Sequence, residues 1–129
     1  MELARNARES VKIAAFSFTH EGLADELIKA DLRGINVSVL MESKQRNVQN
    51  SQYKRLKDFG ISIRVDGNKY NMHNKFVVID GSIVVTGSPN YSSGGNDIND
   101  ENMLIIHNKK LASMFTKEFN ELFDDGIVV

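Results

Sequence analysis

The chain has 129 residues, no cysteine and a formal net charge of −1, with 41% hydrophobic and 26% charged residues. That is the length of one domain and the composition of a globular protein; it excludes a disulfide framework, a zinc knuckle and a cysteine nucleophile. No apolar run approaches the roughly 20 residues of a membrane span, and the start Met1-Glu-Leu-Ala-Arg-Asn6 lacks an apolar signal core, so the expectation is a cytoplasmic protein without a membrane span.

The charge is unevenly placed. Residues 41–75 hold Lys44, Arg46, Lys54, Arg55, Lys57, Arg64, Lys69 and Lys75 against Glu42, Asp58 and Asp66, which is +5 locally and −6 elsewhere. A basic middle between acidic ends can guide a polyanion to one face. It is equally the pattern of a solvated helix face.

In chain order, Glu2–Ser10 reads as a short helix and Val11–Phe18 as an apolar strand. Thr19 can cap a helix to Arg33, with Leu23, Leu27, Ile28 and Leu32 on one face and Gly34 as its stop. Asn36–Met41 alternates as a strand. Val48–Phe59 reads as a weaker helix closed by Gly60, and Ile61–Val65 as a strand. Phe76–Ile79 and Ser82–Val85 flank Asp80-Gly81, a hairpin signal. A Ser/Gly/Asn/Asp loop follows over 92–100, then a strand at Asn102–His107 and a helix at Lys109–Phe123. Strands interleaved with helices predict an α/β fold, a mixed β-sheet with helices on both faces, in a single domain over 1–129.

A two-residue Asp80-Gly81 turn pairs Ile79 with Ser82, Val77 with Val84, Lys75 with Thr86 and His73 with Ser88. Side chains two apart share a face. This register puts His73, Lys75, Ser88 and Asn90 on one face at the open end of the hairpin, with Asn74, Phe76 and Val78 on the other. Gly87 admits a close backbone approach, and Pro89 stops the ladder. A compact cation, two neutral donors and an imidazole suit a phosphate held by its oxygens while the imidazole works on phosphorus. No acidic cluster stands near them in the sequence to hold Mg²⁺, so the reading calls for no metal and no cofactor. Tyr91, beside Asn90, is a candidate for stacking on a base.

The pattern His73-x-Lys75-x4-Asp80-x6-Gly87-Ser88-x-Asn90 resembles the HKD motif of the phospholipase D superfamily at each defining position. Val11–Thr19 resembles the strand before the family's first crossover helix, and Asn99-Asp-Glu-Asn102 the segment that supplies an acidic site residue, here Glu101. Length and order resemble the small single-motif, Nuc-like endonucleases. The resemblance implies that His73 attacks phosphorus to form a phosphohistidine, and that a second motif histidine protonates the leaving oxygen. Lys75 and Asn90 would hold the phosphate oxygens, Ser88 would assist them, and Glu101 would fix the tautomer of His73. Asp80, at the turn, is expected to support the site rather than take part. The strand with which relatives usually begin is missing before Glu2.

The implied activity is a metal-independent phosphodiesterase acting on nucleic acid, DNA or RNA. The alternatives are a phospholipid-cleaving hydrolase and a non-catalytic polyanion-binding module. One motif per chain, where the chemistry needs two histidines, implies a homodimer with a shared active site.

Overall fold

The computed structural model describes residues 5–15, 21–42, 51–66, 76–87 and 103–126. Among these residues six strands form one sheet: β1 (Ser10–Ala15), β2 (Asn36–Glu42), β3 (Ser62–Asp66), β4 (Phe76–Ile79), β5 (Ile83–Gly87) and β6 (Met103–His107), in the order β3-β2-β1-β4-β5-β6. β1, β2 and β3 run parallel, whereas β4, β5 and β6 continue the sheet antiparallel. Among the described residues three helices cover it: α1 (Glu21–Leu32), α2 (Tyr53–Phe59) and α3 (Lys109–Asp124). The expected mixed sheet with helices on both faces is the fold observed.

The two faces follow from strand alternation. Val11, Ile13, Val37, Val39, Ile63, Val65, Val77 and Ile79 point to the face covered by α1 and α2, where they meet Leu23, Leu27, Ala30, Tyr53 and Leu56. Ala14, Leu40, Phe76, Val78 and Val84 point to α3, where they meet Ala112 and Phe119. Phe76 contacts Phe115 and Phe119 edge to face, at 5.1 and 6.4 Å between ring centroids. Large rings let a single helix fill the space over several strands.

Both helices of the first face stop by one device. Gly34 and Gly60 take φ of +86° and +103°. Their N–H groups donate to Asp31 and Lys57, and those of Ile35 and Ile61 reach back to Ala30 and Leu56. This is the Schellman arrangement, in which a glycine in the left-handed region satisfies the last carbonyls and the next apolar residue packs inward. Ile35 and Ile61 are both buried. At the start of α3, the Asn108 side chain accepts from the Leu111 N–H, an N-cap that the sequence signals as Asn before Lys109.

Three expectations need correction. No helix runs to Ser10: the backbone leaves the helical conformation after Arg5, and β1 already begins at Ser10. The reason is a contact distant in sequence, because the N–H groups of residues 8–10 are taken by a carboxylate described below. α2 begins at Tyr53 rather than at Val48; Ser51 and Gln52 are not helical, and 48–50 lie outside the described residues. The register of the hairpin also differs from expectation.

Candidate functional site

The Asp80-Gly81 turn forms as expected. φ is positive at both residues, +55° and +64°, and the Ser82 N–H donates to the Ile79 carbonyl at 3.0 Å. Those are the marks of a two-residue primed turn. The ladder then pairs Ile79 with Ile83, Val78 with Val84, Val77 with Val85 and Phe76 with Thr86. Ser82 is therefore an extra residue, a bulge after the turn, and the register is one residue away from that expected. The Ser82 carbonyl instead accepts from the Asn108 N–H, beside the entry to α3. A one-residue slip exchanges the faces of one strand relative to the other. The spacing argument that set His73, Lys75, Ser88 and Asn90 on a common face thus rests on a pairing that the sheet does not have. All four lie outside the described residues, as do Tyr91 and Glu101.

Of the motif, Asp80 and Gly87 are described. The half-buried Asp80 carboxylate lies in a cradle of three successive backbone donors. Oδ1 accepts from the N–H groups of Arg8 at 3.0 Å, Glu9 at 2.7 Å and Ser10 at 3.1 Å, and Oδ2 also accepts from Arg8 at 3.1 Å. The Asp80 N–H donates to the Ser10 carbonyl at 2.9 Å. Charge-assisted bonds of this kind are about twice as strong as neutral ones. They bind the turn to the segment that enters β1. The same segment is bound to α1, because Arg5 donates to Glu26 Oε1 and Arg33 to the Ala7 carbonyl, each at 3.2 Å.

Gly87 ends β5, opposite Met103. Strand directions gather the chain's exits at this end of the sheet. β1 leaves at Ala15, β2 at Glu42, β3 at Asp66 and β5 at Gly87, while β4 enters at Phe76 and β6 at Met103. In an open α/β sheet, the carboxyl ends of the parallel strands are where ligands bind. Lys75 directly precedes Phe76 and Ser88 directly follows Gly87 in the chain. Among the described residues, no group of three or more His, Asp or Glu is placed to hold a metal ion.

The basic middle is largely structural where it is described. Arg55 pairs with Asp25 and so joins α2 to α1. Arg64 donates to the Phe123 carbonyl at 2.7 Å and stacks over the Phe123 ring at 4.3 Å, closing the C-terminal end of α3. Lys57 lies over the Tyr53 ring. For those three residues these contacts favour a role within the fold over a free polyanion face. His107 is exposed at the turn end, paired with Ile83.

Comparison with known proteins agrees with this geometry. Residues 1–123 match the family described as "Cardiolipin synthase, PLD-like domain". The chain is 31% identical over 119 residues to the mitochondrial cardiolipin hydrolase of Xenopus laevis, covering 92% of this chain and 57% of that protein. It is 29% identical over 118 residues to that of Homo sapiens, covering 92% and 47%. The chain thus spans about half the length of the curated relatives it matches. Among solved structures, Nuc of Salmonella typhimurium, a phospholipase D family member, superposes with a TM-score of 0.88 at 26% identity, over 98% of this chain and 85% of Nuc. NucT of Helicobacter pylori shares the fold, with a TM-score of 0.86 at 24% identity. The expectation of a cytoplasmic protein is overturned, since these relatives are named as mitochondrial enzymes. Neither the lack of a long apolar run nor the opening residues define a compartment in a chain that spans about half of its relatives. The match over residues 1–123, the strand order and the motif together place the chain in the phospholipase D superfamily.

Proposed function

We propose that this chain is a metal-independent phosphodiesterase, an endonuclease with little sequence preference. The observation that carries the reading is the intact run from His73 to Asn90, in a chain whose likeness to Nuc extends over nearly the whole of both proteins. In the proposed reaction a neutral His73 attacks phosphorus in line, and the P–N bond forms as the bond to the leaving oxygen breaks. The protonated imidazole of the partner's His73 donates to that oxygen. Water then cleaves the phosphohistidine, and the same imidazole takes its proton. Lys75, Ser88 and Asn90 hold the non-bridging oxygens, where charge builds in the transition state. Glu101 accepts from the other nitrogen of His73, as carboxylates do for catalytic imidazoles.

A second reading, hydrolysis of a phospholipid diester, is favoured by the relatives named cardiolipin hydrolases. The chemistry at phosphorus is the same, so substrate alone separates the two. The test is hydrolysis of single-stranded DNA, double-stranded DNA, RNA and cardiolipin vesicles in excess EDTA, with His73→Asn as control. Cleavage of nucleic acid that His73→Asn lacks supports the endonuclease. Cleavage of cardiolipin alone replaces it with the second reading, and activity that EDTA abolishes and Mg²⁺ restores defeats the metal-free mechanism.

A further inference from the structure

β4 is four residues long and buried throughout. Its two ends are held differently. At Ile79 the strand passes into the turn that Asp80 binds to residues 8–10. At Phe76 it is held by its neighbours in the sheet, Ala14 of β1 and Thr86 of β5, and by the rings of α3. These contacts act in different directions. Ladder hydrogen bonds lie in the plane of the sheet and fix the strand within it. A shift along the sheet normal is opposed by the close-packed side chains on either face. On the α3 face the packing at Phe76 is aromatic, with Phe115 at 5.1 Å and 71° and Phe119 at 6.4 Å and 80°. Edge-to-face rings prefer a particular offset and tilt, so they define a position more narrowly than aliphatic contact does.

The two rings differ in what else they hold. Phe119 stacks on Phe123 at 5.3 Å, lies under the Lys12 ammonium at 5.4 Å and is fully buried. Phe115 is only half-buried, and among the described residues its one ring partner is Phe76.

We propose that Phe115 is a positioning residue for the phosphate site, acting through Phe76 on Lys75, a role that rests on the phosphodiesterase reading above. Lys75 is joined to Phe76 by one peptide bond, and His73 stands two residues before Lys75. The Phe115 ring thereby sets the height above the sheet at which the chain enters β4 from the segment bearing the nucleophile and the cation. A misplacement of about 1 Å at a reacting group costs on the order of 100-fold in rate, so the partial freedom left by losing this ring should cost about tenfold. Charge on the non-bridging oxygens is greatest in the transition state. A slightly displaced cation therefore lowers kcat more than it raises KM.

The test uses whichever of the DNA, RNA and cardiolipin substrates the wild type cleaves. Methionine fills the space of a ring without its rigidity. Phe115→Met should keep the melting temperature within roughly 5 °C of wild type, lower kcat about tenfold and leave KM within about twofold. Phe123→Met alters a ring of the same helix for which no contact with Phe76 is seen. It should cost at least as much in melting temperature and leave kcat within about twofold. Phe76→Leu should lower kcat as Phe115→Met does, and the double variant should be no more than about twofold slower than Phe76→Leu alone, because coupled residues do not act additively. Wild-type kcat in folded Phe115→Met, an equal fall in Phe123→Met, or losses that multiply in the double variant would each overturn the proposal while the wild type remains active. A wild type that cleaves none of the substrates defeats the phosphodiesterase reading, and this role with it.

Discussion

At the turn end of the sheet, Asp80 is enclosed by three backbone donors and the chain is bound to α1 on one side and to the hairpin on the other. At the opposite end, β1, β2, β3 and β5 exit and β4 and β6 enter, and the chain there continues directly into the segments bearing His73, Lys75, Ser88 and Asn90. One sequence motif thus extends from one end of a hairpin to the other. The comparison teaches that its members need not share a role. Asp80 satisfies backbone N–H groups at the turn, while His73 and Lys75 precede β4 and Ser88 and Asn90 follow β5 in the sequence. Substitutions should separate the two roles cleanly, with stability lost at one end and chemistry at the other.

The largest effect is expected at the chemical end. His73→Asn should lower turnover by at least about 10⁴-fold, the scale for removing a nucleophile, with the melting temperature within about 2 °C of wild type, as for other substitutions that leave the core intact. Loss of stability together with activity would erase the contrast between the ends. Mixing sharpens it. If each site needs both copies of His73, an equal exchange mixture of wild-type and His73→Asn chains keeps about a quarter of full activity by random two-fold pairing. A fall to half means that each chain works alone.

Next in size is the turn. Asp80→Ala removes a carboxylate that accepts from three N–H groups and leaves those donors without it. Bonds to charged groups are worth about 1.5–3 kcal/mol each, but do not add fully. The expected loss is about 2–4 kcal/mol, seen as a fall of roughly 8–15 °C in melting temperature for a domain of this size. The folded fraction should keep turnover within about threefold, because Asp80 touches none of the reacting atoms in the proposed site. A loss of turnover comparable to that of His73→Asn, in protein still folded, would make Asp80 a participant and not a support.

Much of this architecture was legible in the residues. Gly34-Ile35 and Gly60-Ile61 announce helix stops because only glycine takes the left-handed conformation freely, and the following isoleucine has to be buried. Asp80-Gly81 announces its turn on similar grounds. What misled was the residue after the turn. Ser82 bulges because its carbonyl is claimed by Asn108, which is distant in sequence, and nothing in the local pattern Ile-Asp-Gly-Ser-Ile records that bond. Register is a period-two property, so one such residue reverses every assignment of face beyond it. The helix expected over Glu2–Ser10 ends after Arg5 for the same kind of reason: Asp80, seventy residues away from Ser10, takes the N–H groups of residues 8–10. The motif itself was legible from spacing and residue type, which do not depend on register.

Gly81→Ala tests the turn at smaller scale. At φ +64° an added Cβ meets no neighbouring atom, so the cost is conformational alone. A left-handed non-glycine residue costs about 1–2 kcal/mol, and a fall of roughly 4–8 °C in melting temperature is expected. Activity at 25 °C should be unaltered. If Gly81→Ala slowed turnover while Asp80→Ala did not, the turn would be transmitting its geometry along β4, and the separation of the two ends would be incomplete.

The smallest effect concerns the tie between Arg5 and Glu26 on which the same end depends. The hydrogen bond from the Arg5 guanidinium holds the Glu26 carboxyl below its ordinary value of 4.5; burial opposes this, while the charges of Arg5 and Lys29 add to the lowering. Because the folded value lies below the unfolded one, the stabilisation is complete above the ordinary glutamate range. It is lost as pH falls through the folded value. The effect should be small for two reasons. Arg5 is 60% exposed, which screens the pair, and Glu26 Oε2 is buried without a hydrogen-bond partner, so half of the carboxylate is uncompensated. A few tenths to about 1 kcal/mol is the expected scale for so exposed a partner. Glu26→Gln should therefore be slightly less stable than wild type at pH 7 in urea titrations, and the gap should close as both are taken below about pH 4, where wild-type glutamates protonate. A gap that stays constant across that window would assign the loss to packing. A gap that widens toward low pH would reverse the sign, and the tie would then not be what holds residues 5–9 beneath the turn.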